Sequence, residues 1–305
     1  MSSEPSIAAG LKGWLQALAA AVQFLTRIPV PWAVPFTNEV LKRSTTFFPW
    51  AGLLIGFLVW GTGWGLALVL PAWPAAALTL FVAIALTGGL HLDGLMDTAD
   101  GIFSHRSRER MLEIMKDSRV GAMGVIACVA VLILKWSLVA TMMEAGQWQW
   151  GLAAVLPFIW SRYAMVWAMA REPYARPNEG LGGYFKGLGT VHLCGAGLMS
   201  VAASALVIWL WLQLAQPLHF TQLKQLTQLT ERFTLATTHG QISPVLASLV
   251  LIATLAVAVS LLAWVCSRAL SRKLGGLTGD TYGAINELIE TAVLILITLI
   301  FVGKG

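Results

Sequence analysis

Hydrophobic residues fall in long blocks along the chain. Seven of them, 47–70, 72–90, 120–143, 148–170, 189–215, 243–267 and 285–303, match the roughly 20 apolar residues that a helix needs to cross a bilayer. Only Pro71 separates the first two, which predicts a tight hairpin. Trp14–Thr26 is apolar but 13 residues long, and reads as an interfacial or re-entrant helix rather than a span. It has neither a basic start nor a small-residue cleavage site, so a cleaved leader is not expected. The segment 107–119 has Ser107 as a predicted N-cap and an apolar stripe of Met111, Ile114, Met115 and Ser118. It predicts an amphipathic helix resting on the membrane surface. The loop 216–242 repeats that pattern with Phe220, Leu223, Leu226, Leu229 and Phe233. The expected architecture is all-α: one membrane-embedded domain, 1–305, with about seven transmembrane helices plus interfacial helices.

Composition supports this reading. Of the 305 residues, 57% are hydrophobic and 11% charged, against about 25% charged in an ordinary soluble domain. That excludes a soluble globular enzyme and a disordered chain. The net charge is only +5 and no basic run exceeds two residues, so nucleic acid is not an expected partner. Charge placement is more informative than its sum. Fifteen of the 20 Lys and Arg lie before residue 47 or in the loops 91–119, 171–188 and 268–284. These segments are every other connection between the spans and so share one side of the bilayer, and the excess puts them, with the N-terminus, in the cytoplasm. Cys128, Cys194 and Cys266 lie inside apolar runs and read as small buried side chains.

All five aspartates fall on that same expected side: Asp93, Asp97, Asp100, Asp117 and Asp280. The spacing of the first three is i, i+4, i+7, which on one helix keeps them within an arc of about 60°. Such carboxylates repel each other, and a divalent cation resolves the repulsion. Hard oxygen ligands suit Mg²⁺ or Mn²⁺, with substrate phosphates and water completing the shell. His91 lies about 160° round from that stripe on a continuous helix. Lys116 and Arg119 follow, and Arg matches phosphate oxygens bidentately. The glycine-rich stretch from Gly275 to Gly283 allows close approach to a phosphate. It includes Gly279 and Asp280 and runs into Glu287 and Glu290. Two glutamates in the first turns of a span mark a functional site or a helix–helix bond to Lys135 or Arg162.

At these residues the sequence resembles the cobalamin synthases, the adenosylcobinamide-GDP ribazoletransferases. The resemblance is carried by Gly88 through Gly94, Asp100-Gly101, Met111–Gly124 and Gly275–Glu290. Phe24 to Pro29, Pro49 with Gly52 and Gly56, and Tyr174-Ala175-Arg176 with Gly180 add to it. It implies a Mg²⁺-dependent transfer at the inner membrane of a bacterium, with the active site cytoplasmic. A ribose hydroxyl of α-ribazole, or of its 5′-phosphate, attacks adenosylcobinamide-GDP, and GMP leaves. It further implies Asp93, Asp97 and Asp100 as metal-binding and catalytic residues. The substrate-binding set becomes His91, Lys116, Asp117, Arg119, Arg176, Gly279, Asp280, Glu287 and Glu290. The implied partners are those substrates and the lipid bilayer. Self-association and association with other corrinoid-pathway enzymes stay open. Asp97-Thr98-Ala99-Asp100-Gly101 also resembles the start of the CDP-alcohol phosphotransferase motif. Its second half is not in place, which leaves a lipid-type phosphotransferase as the alternative enzyme. A transporter using Lys135, Arg162, Glu287 and Glu290 would predict paired half-repeats, which the sequence does not contain.

Overall fold

The computed structural model describes residues 7–145, 152–176, 180–215 and 244–302. Its helices are α1 (Ile7–Leu25), α2 (Asn38–Ser44), α3 (Phe48–Ala67), α4 (Ala72–Thr87), α5 (Leu90–Phe103) and α6 (Arg108–Ile114). There follow α7 (Ala122–Glu144), α8 (Leu156–Arg171), α9 (Thr190–Ala215), α10 (Pro244–Leu274) and α11 (Gly279–Val302). Among the described residues the only β pairing is one parallel bridge, Tyr174 to Leu277.

Six helical stretches are long and apolar enough to cross a membrane: Asn38–Ala67, Ala122–Glu144, Leu152–Arg171, Thr190–Gln213, Val245–Leu274 and Gly279–Val302. The second predicted span, 72–90, becomes α4, which has 16 residues and qualifies only together with α5, as a pair bent by 89°. The bend has a local cause. Gly88 and Gly89 both adopt left-handed backbone, φ +65° and +71°, which other residues rarely accept. The chain therefore leaves the direction of α4, and α5 lies across the N-terminal ends of α7 and α11.

α8 sits at the centre, with 83% of its most apolar window buried. It packs on α3, α9, α10 and α11. The outer helices turn large apolar side chains outward, as Val125, Ile126, Val129 and Ile133 of α7 do. Facing lipid, these need no burial. Where side chains do face inward, small residues let backbones approach: a Cβ on Gly52 of α3 would fall 2.2 Å from the Phe158 carbonyl oxygen of α8.

Two expectations change. The last span begins at Gly279, six residues before the apolar block at 285, because Thr278 and Thr281 cap it. The Thr278 hydroxyl accepts from the Thr281 amide and the Thr281 hydroxyl from the Thr278 amide. α6 forms with Ser107 as its N-cap, as expected. Its buried Met111 and Met115, however, meet Leu274 at the end of α10 and half-buried Ile102, so it is held on protein rather than on lipid alone. The proposed surface helix at 220–233 lies outside the described residues.

Among the described residues, four charged side chains cluster in the interior. Lys135 of α7 donates to Glu287 at 2.6 Å and to Glu290 at 2.7 Å, both on α11. Arg162 of α8 donates to the other oxygen of Glu290. The cluster is neutral in sum and ties the three helices together. Removing one partner strands an opposite charge in a low-dielectric interior, which costs about 3–5 kcal/mol. Lys135→Met should therefore lower the unfolding temperature in detergent markedly, and Lys135→Arg much less. An unchanged melting profile in Lys135→Met would contradict the role given to this cluster.

Candidate active site

α5 carries the carboxylate stripe and α11 carries Asp280. They approach because neither has a side chain at the crossing. A Cβ on Gly94 would lie 2.6 Å from the Asp280 carbonyl oxygen, and one on Gly283 would lie 3.3 Å from the Cα of Gly94. This contact brings Asp93 and Asp280 to one cavity of about 180 Å³. Arg176, Tyr174 and His91 also line it, with Phe24, Met165, Met169, Phe185 and Tyr282.

The loop bearing Tyr174 and Arg176 is pinned to the turn before α11. Ala175 donates to the Leu277 carbonyl at 2.7 Å, and Leu277 donates to Pro173 at 2.8 Å. Gly276, at φ +146°, makes room for it, since a Cβ there would meet the Pro173 oxygen at 2.7 Å. Arg176 then donates to Asp280 at 3.2 Å and to the Leu112 carbonyl at 3.0 Å. The Thr278 hydroxyl donates to the same Asp280 oxygen at 3.2 Å.

The three stripe aspartates have different surroundings. Asp93 is exposed at the cavity. Asp97 is half-buried, and α5 lies outside the six spans. Burial, followed by the charges of Asp93, Asp280 and Asp100, pushes its pKa up to about 7, with Arg176 opposing. Four carboxylates thus share one field with one guanidinium. Asp100 is already occupied: its two oxygens accept from the Gly121 and Gly124 amides, each at 2.7 Å. It caps α7, where the helix dipole favours a negative charge. Among the described residues no three His, Cys, Asp or Glu side chains converge to hold a metal ion by themselves.

Other residues singled out in the sequence lie elsewhere. Glu287 and Glu290 are engaged by Lys135 and Arg162. They border a separate cavity of about 30 Å³ rather than the one at Asp93, so the structure gives them a bonding role between helices. Arg119 is exposed and holds Asp117 at 2.7 Å, an arrangement that lowers the Asp117 pKa to about 2 through the hydrogen bonds from Arg119. Lys116 is exposed on the same turn. None of the three lines the cavity; Arg176 is the cation that does. Gly279, which opens α11, lines it as well. His91 is buried, and neither ring nitrogen has a hydrogen-bond partner. Sequence reasoning did not find Met165, Met169 and Phe185. The methionines, four apart on an apolar helix, carry no signal that separates a cavity wall from a core.

Fold and site together define a class: a helical, polytopic membrane protein with a carboxylate-rich, arginine-bearing cavity at the end of its bundle. The chain belongs to the cobalamin-5-phosphate synthase family, whose model matches residues 17–298. It is 34% identical over 284 residues to an adenosylcobinamide-GDP ribazoletransferase of Brevibacillus brevis, covering 93% of this chain and 98% of the relative. It is 39% identical over 282 residues to the enzyme of that name from Desulforamulus reducens, covering 92% of this chain and 96% of the relative. A third of that name, from Listeria welshimeri, is 43% identical over 174 residues, 57% of this chain and 69% of the relative. No solved structure gives a significant match.

The surroundings of the aspartates separate two kinds of substitution. Asp100→Ala removes a helix cap and should destabilise by about 0.5–2 kcal/mol. Asp97→Asn relieves like-charge repulsion and should leave thermal stability unchanged or raised. Thermal unfolding of both variants in one detergent checks this; an Asp97→Asn protein less stable than Asp100→Ala would contradict it.

Proposed function

We propose that the protein transfers the adenosylcobinamide phosphate of adenosylcobinamide-GDP to α-ribazole or α-ribazole 5′-phosphate. A ribose hydroxyl oxygen bonds to the phosphorus next to the cobinamide. The bond from that phosphorus to the bridging oxygen breaks and GMP leaves. The product is adenosylcobalamin or its 5′-phosphate. The observation that carries this reading is the convergence of Asp93, Asp280 and Arg176 at one cavity, with Asp97 in the field of the same groups, in a chain of this family.

A divalent cation fits the donor set. Burial first, and then the charges of Asp93, Asp280 and Asp100, raise the pKa of Asp97, so its carboxylate stands among like charges with only Arg176 opposing them. Mg²⁺ is commonly held by one or two carboxylates plus substrate phosphates and water, so a full protein cage is not required. Asp93 and Asp97 would hold it, and when bound it neutralises charge on the pyrophosphate and the departing GMP. Arg176, positioned by the Leu112 carbonyl, binds a phosphate oxygen. Asp280 accepts the proton of the attacking hydroxyl. Asp100 fixes the N-terminus of α7 relative to α5 and so sets the line of the stripe. The excess of Lys and Arg on alternate loops supports placing this end of the bundle in the cytoplasm of a bacterium, with the protein in the inner membrane.

The test is transfer by purified protein supplied with both substrates, with Mg²⁺ titrated and then chelated. Activity should require the cation, and Asp93→Asn and Asp97→Asn should each lower turnover by about 100-fold or more. Near-normal turnover in the double variant would remove the metal assignment. Transfer from a CDP-linked donor in place of the cobinamide donor would overturn the substrate assignment.

A further inference from the structure

The reacting groups make up only part of the cavity lining. The remainder is walled by Phe24, Met165, Met169, Phe185 and Tyr282. Phe24 and Phe185 meet edge to face at 5.2 Å, and Tyr282 stacks with Tyr174 at 6.5 Å. Met165 and Met169 are buried and project from successive turns of α8. Such a wall is flat, apolar and polarizable, with flexible thioethers on one side. Neither a phosphate nor a metal has any use for it.

Size narrows the occupant. The cavity holds about 180 Å³, and an apolar protein cavity of about 150 Å³ takes up benzene. There is room for one fused aromatic ring system and none for a corrin. Two such ring systems occur in the proposed reaction, the guanine of the donor and the benzimidazole base of α-ribazole. Guanine carries donors and acceptors along most of its edge, and this wall would leave most of them unpaired. A benzimidazole nucleoside has one free ring nitrogen, an acceptor. Seated against this wall, it leaves one polar atom unpaired where guanine leaves several.

We infer that this cavity is the seat of the acceptor's aromatic base, and that Met165 and Met169 set which bases it accepts. With the base against α8, the attached ribose lies toward Asp93, Arg176 and Asp280, where its hydroxyl is needed. The donor's corrin and guanine then stay outside, on the exposed side of the stripe. The inference deepens the proposed reaction and rests on it for the name of the acceptor.

Steady-state inhibition by free 5,6-dimethylbenzimidazole and by guanosine tests it with the intact protein in detergent. The benzimidazole should compete with α-ribazole and not with adenosylcobinamide-GDP, and guanosine should not compete with α-ribazole. Met169→Trp, which fills the cavity, should raise KM for α-ribazole by about tenfold or more, with KM for the donor unchanged. Guanosine competing with α-ribazole where benzimidazole does not, or a KM increase confined to the donor, would overturn the inference. Calorimetry with benzimidazole alone separates it from the reaction itself. If wild-type protein binds the base, Met169→Trp does not, and no transfer occurs, the reaction is wrong and the cavity assignment stands. If transfer occurs and the wild-type protein binds no benzimidazole, the cavity assignment is wrong.

Discussion

Charge inside an apolar bundle must be matched by charge. Lys135, Arg162, Glu287 and Glu290 come from three helices and satisfy one another with hydrogen bonds. Each pairing fixes not only distance but rotation, because an intramembrane carboxylate cannot turn away into water. The rotation of α11 set by Glu287 and Glu290 is what points Gly283 at α5, since the three lie one or two turns apart on one helix. The glycine contact then places Asp280 against Gly94. The polar cluster in the bundle interior therefore holds the register of the site at its end, although it touches no part of that cavity.

The stripe on α5 shows how a run of like charge is kept folded. One member, Asp100, is satisfied outright by two backbone amides of α7. The other two are offset by no comparable bond, and Asp97 carries the consequence in its raised pKa. Among the described residues that line the cavity, Arg176 is the one cation, and it is shared between Asp280 and a main-chain carbonyl. The balance is short of positive charge, which is the condition under which a site gains affinity for a cation and selects a substrate that brings one.

Much of this was legible in the sequence. Block lengths located six of the seven predicted spans, with ends displaced by up to nine residues, because lipid sets the length that a crossing helix needs. The i, i+4, i+7 aspartates do share one continuous helix. What pattern could not reveal was partnership. Nothing in the spacing says that Asp100 is a cap for a helix 21 residues on, and the pairing of Glu287 and Glu290 with Lys135 and Arg162 was only one of two readings that the sequence left open. Arg119 stood out for its setting beside Asp117 and Gly121, yet the geometry turns it back onto Asp117. Tyr174 and Arg176 reach the cavity through a bridge to Leu277, a contact across 103 positions that no local pattern encodes.

The length of α10 adds a consequence of its own. Its 31 residues make a rod of about 46 Å, some 15 Å more than the hydrocarbon thickness of a bilayer. Arg268, Arg272 and Lys273 crowd its last two turns, so the surplus emerges at the end where Leu274 props α6. α6, and the end of α5 that packs on it at Ile102, are thereby held beyond the apolar length of α10. A ring seated against α8 can be desolvated while the phosphates beside it remain hydrated.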